Sequence, residues 1–297
     1  MIPTPSRRTF LTHATSSGLF AALSSPMLSA KHHSSDRFTL GLSQYSLRAL
    51  LRDGSLDALD FPQFTVDQFG LQAIDLWEGG MPKDKLGDSK YLTKMRNRAE
   101  QAGTDLFLLM SGALDASPKK REASSTKIVA SFDRAVQLGA PMVRVFLKAP
   151  GTDPAAGVQA SVEALKPLAD EAARRQLTIA IEPGASQLSQ KGAFLAKVAI
   201  RLKHPALGLM PDFGKLKGNI YKGTEAMLPH TITVSCKMHS FDEAGKQPDF
   251  NYPRLMKMIK QSKYQGILAI EWEGSALEPV PGVLASKKLI EKSLASG

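Results

Sequence analysis

The chain has 297 residues, 43% hydrophobic and 22% charged, with one cysteine and a net charge of +10. That apolar fraction excludes a disordered or collagen-like whole, and a single cysteine excludes an internal disulfide and a four-cysteine zinc site. The length suits one large domain or two modest ones, while the positive charge invites a nucleic-acid or anionic partner without choosing between them.

Residues 1–35 hold Arg7, Arg8 and Lys31 and no acid. The run Ser6-Arg7-Arg8-Thr9-Phe10-Leu11 resembles a twin-arginine export motif, and a mildly apolar stretch follows it to Leu28. Pro26 and scattered Ser, Thr and Gly make that stretch too polar for a spanning helix. Ala30 supplies the small residue that a signal peptidase needs, so residues 1–30 read as a signal peptide and the product as periplasmic or otherwise exported. Removing 30 of the 297 residues, two arginines among them, leaves 267 residues and a charge of +8. No later segment reaches about 18 consecutive apolar residues, so the mature chain is expected to carry no membrane span.

Eight strand-length apolar runs follow in order: 38–44 (FTLGLSQ), 72–77 (QAIDLW), 105–110 (DLFLLM), 142–147 (MVRVFL), 177–182 (LTIAIE), 206–210 (ALGLM), 231–236 (TITVSC) and 267–271 (ILAIE). Helical spacing separates them at 91–102, 126–138, 158–175, 194–202 and 254–262. Gly70, Gly103 and Gly139 stand where helix-terminating glycines belong. In the tail, Pro279 and Pro281 precede a short predicted helix. Strands alternating with helices imply parallel pairing and right-handed crossovers. Eight such units over residues 36–297 have the size of a single α/β domain, a closed (β/α)8 barrel. A doubly wound sheet is disfavoured, because no glycine-rich phosphate turn follows the first strand.

Barrels of this kind work at the carboxyl ends of their strands. There the sequence places Glu182 on strand 5, Asp212 after strand 6, Lys237 and His239 at strand 7, and Glu271 on strand 8. Successive spacings from Glu182 to Asp212, His239 and Glu271 are 30, 27 and 32 residues, each about one strand-helix unit. Any one of these acids alone is as often a helix cap or a lysine's partner; their joint placement is what is specific. Among the histidines, His13 falls in the signal peptide, His32 and His33 lie in the leading segment before the first strand, and His204 and His230 precede strands at the opposite rim, which leaves His239. Two glutamates, an aspartate and a histidine suit an octahedral metal site, with Mn²⁺, Mg²⁺ or Co²⁺ favoured by the oxygen-rich set and Zn²⁺ also open. Gln44, Trp77, Glu78, Arg144 and Lys148 are further rim candidates, and Trp77 or Trp272 could stack on a sugar ring.

The same segments carry a family resemblance. Ile181-Glu182-Pro183, Leu207 to Gly214 (LGLMPDFG) and Gly266 to Gly274 (GILAIEWEG) resemble the xylose isomerase-like TIM barrel superfamily, which holds sugar isomerases, epimerases, lyases and endonuclease IV. The resemblance implies a divalent metal held by Glu182, Asp212, a strand-7 histidine and Glu271. Two departures stand out. Glu-Asn-His is common after strand 5 in that group, where this chain has Glu182-Pro183-Gly184, and Ser235 falls where the usual ligand histidine aligns. Because 235, 237 and 239 share one side of an extended strand, His239 would have to reach the metal from further out.

The leading expectation is therefore a metal-dependent isomerase, epimerase or related lyase acting on a carbohydrate through an enediolate. Glu182 and Glu271 serve as base and acid, and Lys237 either neutralises the oxyanion or forms a structural ion pair with Asp212 or Glu271. Gln44, Trp77, Arg144 and Trp272 are the expected substrate-binding residues. An endonuclease IV-like nuclease is the first alternative. Residues 191–265 hold 13 Lys and Arg against 5 Asp and Glu, but export and the shortage of histidines argue against a nucleic-acid partner. A sugar-binding barrel without catalysis is the second alternative. Self-association is left open.

Overall fold

The computed structural model describes residues 37–296, so the candidate signal peptide lies outside the described residues. Eight strands are present: β1 (Phe38–Ser43), β2 (Ala73–Trp77), β3 (Asp105–Asp115), β4 (Met142–Lys148), β5 (Thr178–Glu182), β6 (Leu207–Leu209), β7 (Val234–Met238) and β8 (Gly266–Trp272). The α-helices among them are α1 (Arg48–Asp53), α2 (Phe61–Phe69), α3 (Ser89–Gln101), α4 (Arg121–Leu138), α5 (Pro154–Arg174), α6 (Gly192–Leu202), α7 (Ile220–Met227), α8 (Tyr252–Gln261) and α9 (Pro279–Ala295). None of the described helices is long and apolar enough to cross a membrane.

All strand pairs are parallel, in the order β6-β5-β4-β3-β2-β1-β8-β7. The remaining gap, between β6 and β7, is spanned by two isolated parallel bridges, Leu209 with Thr231 and Asp212 with Ser235. This is the (β/α)8 arrangement expected from the alternation of strands and helices.

Side-chain parity divides the strands between two cores. Ile74 and Leu76, Val143 and Val145, Ile179 and Ile181, Cys236 and Met238, and Ile270 and Trp272 join the large layer under the helices. Ala73, Phe107, Leu108, Met110, Ala180, Met210 and Ala269 form a smaller cluster inside the barrel, with Trp77, Met142, Ile232 and Ile267 packed against it. The interior therefore fills with small and medium residues low in the barrel and leaves the upper inward positions to polar groups.

The helices begin and end for local reasons. Asp88 and Asp153 accept backbone N–H bonds at the starts of α3 and α5, and Pro154 opens α5. Gly70, Gly103 and Gly139 follow their helices with φ of 62°, 68° and 78°, the left-handed region glycine reaches freely. Three short helices, α1, α2 and α7, carry no helical spacing signal, at six, nine and eight residues. The tail helix α9 is 17 residues rather than short. Strand β7 begins later than its apolar run, because the Ile232 amide turns to the Leu209 carbonyl at 3.0 Å before the ladder with β8 starts at Val234. Within the strand, Ser235 and Lys237 alternate with the outward Cys236 and Met238 and so face inward.

Where α6 meets α7, a Cβ on Gly192 would strike the Gly223 backbone. Gly192→Ala is accordingly expected to lower stability by about 1–3 kcal/mol, the usual cost of overpacking a rigid contact. A urea titration followed by circular dichroism reads this directly.

Candidate active site at the carboxyl rim

The upper inward positions of six strands converge: Ser43 on β1, Asp75 and Trp77 on β2, Arg144 on β4, Glu182 on β5, Ser235 and Lys237 on β7, and Glu271 on β8, with Asp212 just past β6. One oxygen each from Glu182, Asp212 and Glu271 lies within 4.8 Å of the other two. All three carboxylates are buried, and Lys237 is only 1% exposed.

Strand β7 ties this group together. The Lys237 Nζ stands 2.8 Å from Glu271 Oε1, 3.1 Å from Asp212 Oδ2 and 2.5 Å from Glu273 Oε1, so three carboxylates surround its three N–H donors. The Ser235 hydroxyl lies 2.6 Å from Glu271 Oε2 and 3.1 Å from Asp212 Oδ2. Asp212 Oδ1 accepts from the Gly214 and Lys215 amides, both at 2.8 Å, which fixes its carboxylate plane. Tyr252 on α8 donates to the Lys237 carbonyl at 2.7 Å and holds that strand residue from behind. On the other flank, Arg144 Nε comes within 2.9 Å of Glu182 Oε2, an ion-pair contact not aligned as a hydrogen bond, while its Nη1 donates to the Ser111 carbonyl.

Burial and charge divide these acids. Burial pushes Glu182 well above the usual carboxylate range; Arg144 opposes the shift, and Asp212 and Glu271 reinforce it. Glu271 is raised too, by burial first, against the pull of Lys237. Burial, the largest influence, would raise Asp212, but the Lys237 ammonium together with hydrogen bonds from Glu182, the Lys215 amide and Lys237 holds that carboxyl low. Glu273, at the mouth of the site, is lowered by the same ammonium against its own burial. Lys237 resists the downward push of burial because Asp212 and Glu271 hold its proton. The rim thus sets carboxyls pushed up by burial beside carboxyls held low by an ammonium, the arrangement that acid-base chemistry uses.

The structure brings Glu182, Asp212, Glu271, Lys237 and Arg144 together. Gln44 is buried beside them, its Oε1 accepting from the Trp77 amide at 2.9 Å and its Nε2 without a partner. Trp77 is half-buried at the barrel mouth, edge-on to Tyr45. Two expectations need correction. His239 is not brought into the carboxylate group; it stands one layer out, 6.0 Å from the Phe250 ring. Trp272 falls on the outward parity of β8, 1% exposed and stacked on Phe241, so it packs the barrel wall and touches no site residue. Trp272→Ala is expected to cost about 3–5 kcal/mol of stability, measured by chemical denaturation. Glu78 and Lys148 are engaged elsewhere, with Arg134 at 2.7 Å and Asp115 at 3.3 Å.

Asp75 was not anticipated. Its Oδ1 accepts from Ser43 Oγ at 3.2 Å and the Gln44 amide at 3.1 Å, its Oδ2 has no partner, and burial followed by the nearness of Glu271 pushes its pKa well up. The signal in the sequence was a lone acid inside the apolar run AIDLW. Beside it, β3 carries an extra residue against β2 between Ile74 and Asp75, the kind of irregularity that re-aims side chains near sites.

A parallel (β/α)8 barrel with a buried acid cluster at its carboxyl rim is the class that fold and site define. The chain belongs to the xylose isomerase-like TIM barrel family, whose model matches residues 65–295. Among solved structures, it is similar to the IOLI protein with a bound zinc atom, at a TM-score of 0.69 and 12% identity, covering 86% of this chain and 98% of that one. It is also similar to 3-keto-D-glucoside 4-epimerase from E. coli, at 0.66 and 13%, covering 86% and 99%. A family member from Mycobacterium smegmatis in complex with magnesium follows, at 0.64 and 17%, covering 86% and 97%. At these identities the likeness is one of fold. A 50-residue stretch is 34% identical to the alpha subunit of a C-glycoside deglycosidase from Arthrobacter globiformis; it spans 17% of this chain and 14% of that protein.

Taken by themselves, Glu182, Asp212 and Glu271 could hold a metal ion. Beside Ser235 and Lys237 they do not fit one. Oxygens that would bond a metal at about 2.0–2.3 Å already carry an ammonium at 2.8 and 3.1 Å. The position that would supply an imidazole lone pair holds a hydroxyl bonded to two of the same carboxylates.

Proposed function

We propose that this chain is an enzyme that moves a proton at the carbon beside a carbonyl of a carbohydrate, as an isomerase, an epimerase or a related lyase. The observation that carries it is a pair of buried glutamates at one rim, each beside a cation. Burial raises both; Glu182 lies 2.9 Å from Arg144 and Glu271 touches Lys237 at 2.8 Å.

In this reading the substrate oxygen lies against Lys237 and Arg144, whose charges stabilise the enediolate as it forms. Ionised Glu271 takes the proton from carbon, and protonated Glu182 gives one to the opposite end of the reacting unit. Return of the proton to the neighbouring carbon is isomerisation, return to the other face is epimerisation, and departure of a β-hydroxyl as water is elimination. Trp77 at the mouth offers a flat apolar face to a sugar ring, and the free Gln44 Nε2 offers a donor to a hydroxyl. The names of two similar proteins, a 3-keto-glucoside epimerase and a C-glycoside deglycosidase subunit, support keto-sugars and their glycosides as the substrate class.

The test is proton exchange in D₂O. The protein is incubated with aldoses, ketoses and 3-keto-glucosides, and loss of a C–H signal is followed by proton NMR. Exchange with one of these classes is expected. Saturable sugar binding without any exchange favours the non-catalytic barrel, and neither binding nor exchange ends the carbohydrate reading.

We also propose that residues 1–30 direct export. Replacing Arg7 and Arg8 together by Lys in a full-length fusion is expected to retain the reporter in the cytoplasm, as read by cell fractionation.

A further inference from the structure

We propose that the Lys237 ammonium is the resident cation of this rim and stands in the place of a divalent metal. The inference deepens the function proposed above by naming the charge that the site uses. Its test reads ion binding, so it stands or falls separately from any sugar activity.

Four observations carry it. The ammonium touches Asp212 and Glu271, two of the three carboxylates whose oxygens converge, and the third, Glu182, is paired instead with Arg144. Ser235 Oγ stands between Asp212 and Glu271, within hydrogen-bond distance of both; its single proton occupies a carboxylate lone pair that a metal would need, and it supplies no imidazole nitrogen. His239, the one histidine at this end of the barrel, stays outside the group. The chain has also made room for the lysine: a Cβ on Gly214 would lie 2.9 Å from both Cγ and Cδ of Lys237. Gly214 has no positive φ among the backbone exceptions, so the glycine serves space rather than backbone shape. With the Tyr252 hydroxyl fixing the Lys237 carbonyl at 2.7 Å, stem, head and backbone of this lysine each have a fitted seat.

A metal and this ammonium therefore compete for the same oxygens, and as folded the ammonium holds them. The experiment is metal content by mass spectrometry of the purified full chain, followed by titration of Mn²⁺, Mg²⁺, Co²⁺ and Zn²⁺ each alone, with thermal melting as the readout. Wild type is expected to carry far less than one metal per chain and to melt at the same temperature, within about 1 °C, up to millimolar ion. Lys237→Ala empties the seat and leaves three converging carboxylates. Its melting temperature is expected to rise by about 5 °C or more with millimolar Mn²⁺ or Zn²⁺, since a ligand that binds only the folded state stabilises it. Ser235→His in that background is expected to tighten binding by about tenfold or more, by restoring an imidazole donor.

One equivalent of metal in wild type, lost in Asp212→Asn, would overturn the proposal. So would a folded Lys237→Ala protein that no ion stabilises. If that variant does not fold, the wild-type titration alone decides.

Discussion

Glu182→Gln is expected to slow substrate proton exchange by about 10³-fold, within the 10²–10⁴ range of general acid-base catalysis, while melting close to wild type. The pairing of those two results is the informative part. Burial, with Asp212 and Glu271 nearby, pushes Glu182 above the ordinary carboxylate range, and the proposed mechanism uses its neutral form. An amide of the same shape replaces a neutral acid without stranding a charge, and the expected stability change is within about 1 kcal/mol. What disappears is the transferable proton. An ionised Glu182 would behave otherwise, because Arg144 at 2.9 Å would then lose its counter-ion and the variant would unfold early. Deuterium exchange into substrate and a thermal melt on the same preparation separate the cases.

Lys237→Met should show the opposite profile, a large loss of stability. Truncating one partner of a buried ionic group leaves the others uncompensated, at a typical cost of about 3–5 kcal/mol. The loss should depend on pH in a definite direction. Asp212 has a folded-state pKa held below its ordinary value by this ammonium, so its stabilisation is present above about pH 4 and fades as pH falls through the lower, folded value. Lys237 has a raised pKa, so its share is present below about pH 10 and fades only as pH climbs past the folded value. The gap between wild type and Lys237→Met should therefore be widest between about pH 6 and 9 and shrink in acid, where the stranded carboxylates take up protons. Urea midpoints at pH 4, 6 and 8 give the comparison. An equal loss at all three would mean that the lysine acts by packing its stem.

The barrel was legible because its signals are short-range and repeated: apolar runs of strand length, glycines of left-handed φ after α2, α3 and α4, and one acid per strand-helix unit late in the chain. The carboxylates Glu182, Asp212 and Glu271 were legible for the same reason, since strand ends fix where they stand. Their connections were not. Which carboxylates Lys237 and Ser235 touch depends on how β6, β7 and β8 sit against one another, which spacing along the chain does not fix. Trp272 was misread because one residue of parity separates the barrel interior from its wall, and a tryptophan suits either. Asp75 was passed over inside a run that read as uniformly apolar.

The sparsely bridged boundary between β6 and β7 has a mechanical meaning. Elsewhere neighbouring strands share ladders of three or more residue pairs, but here the chain crosses on two backbone bridges, at Leu209 with Thr231 and at Asp212 with Ser235. The contacts from Ser235 and Lys237 to Asp212 cross the same boundary. The residues that would handle a proton therefore also act as the clasp of the ring. Any event that draws Asp212 away from Lys237 loosens the barrel at its weakest stitch, and amide exchange should be fastened there by an occupied rim and hastened by a broken one.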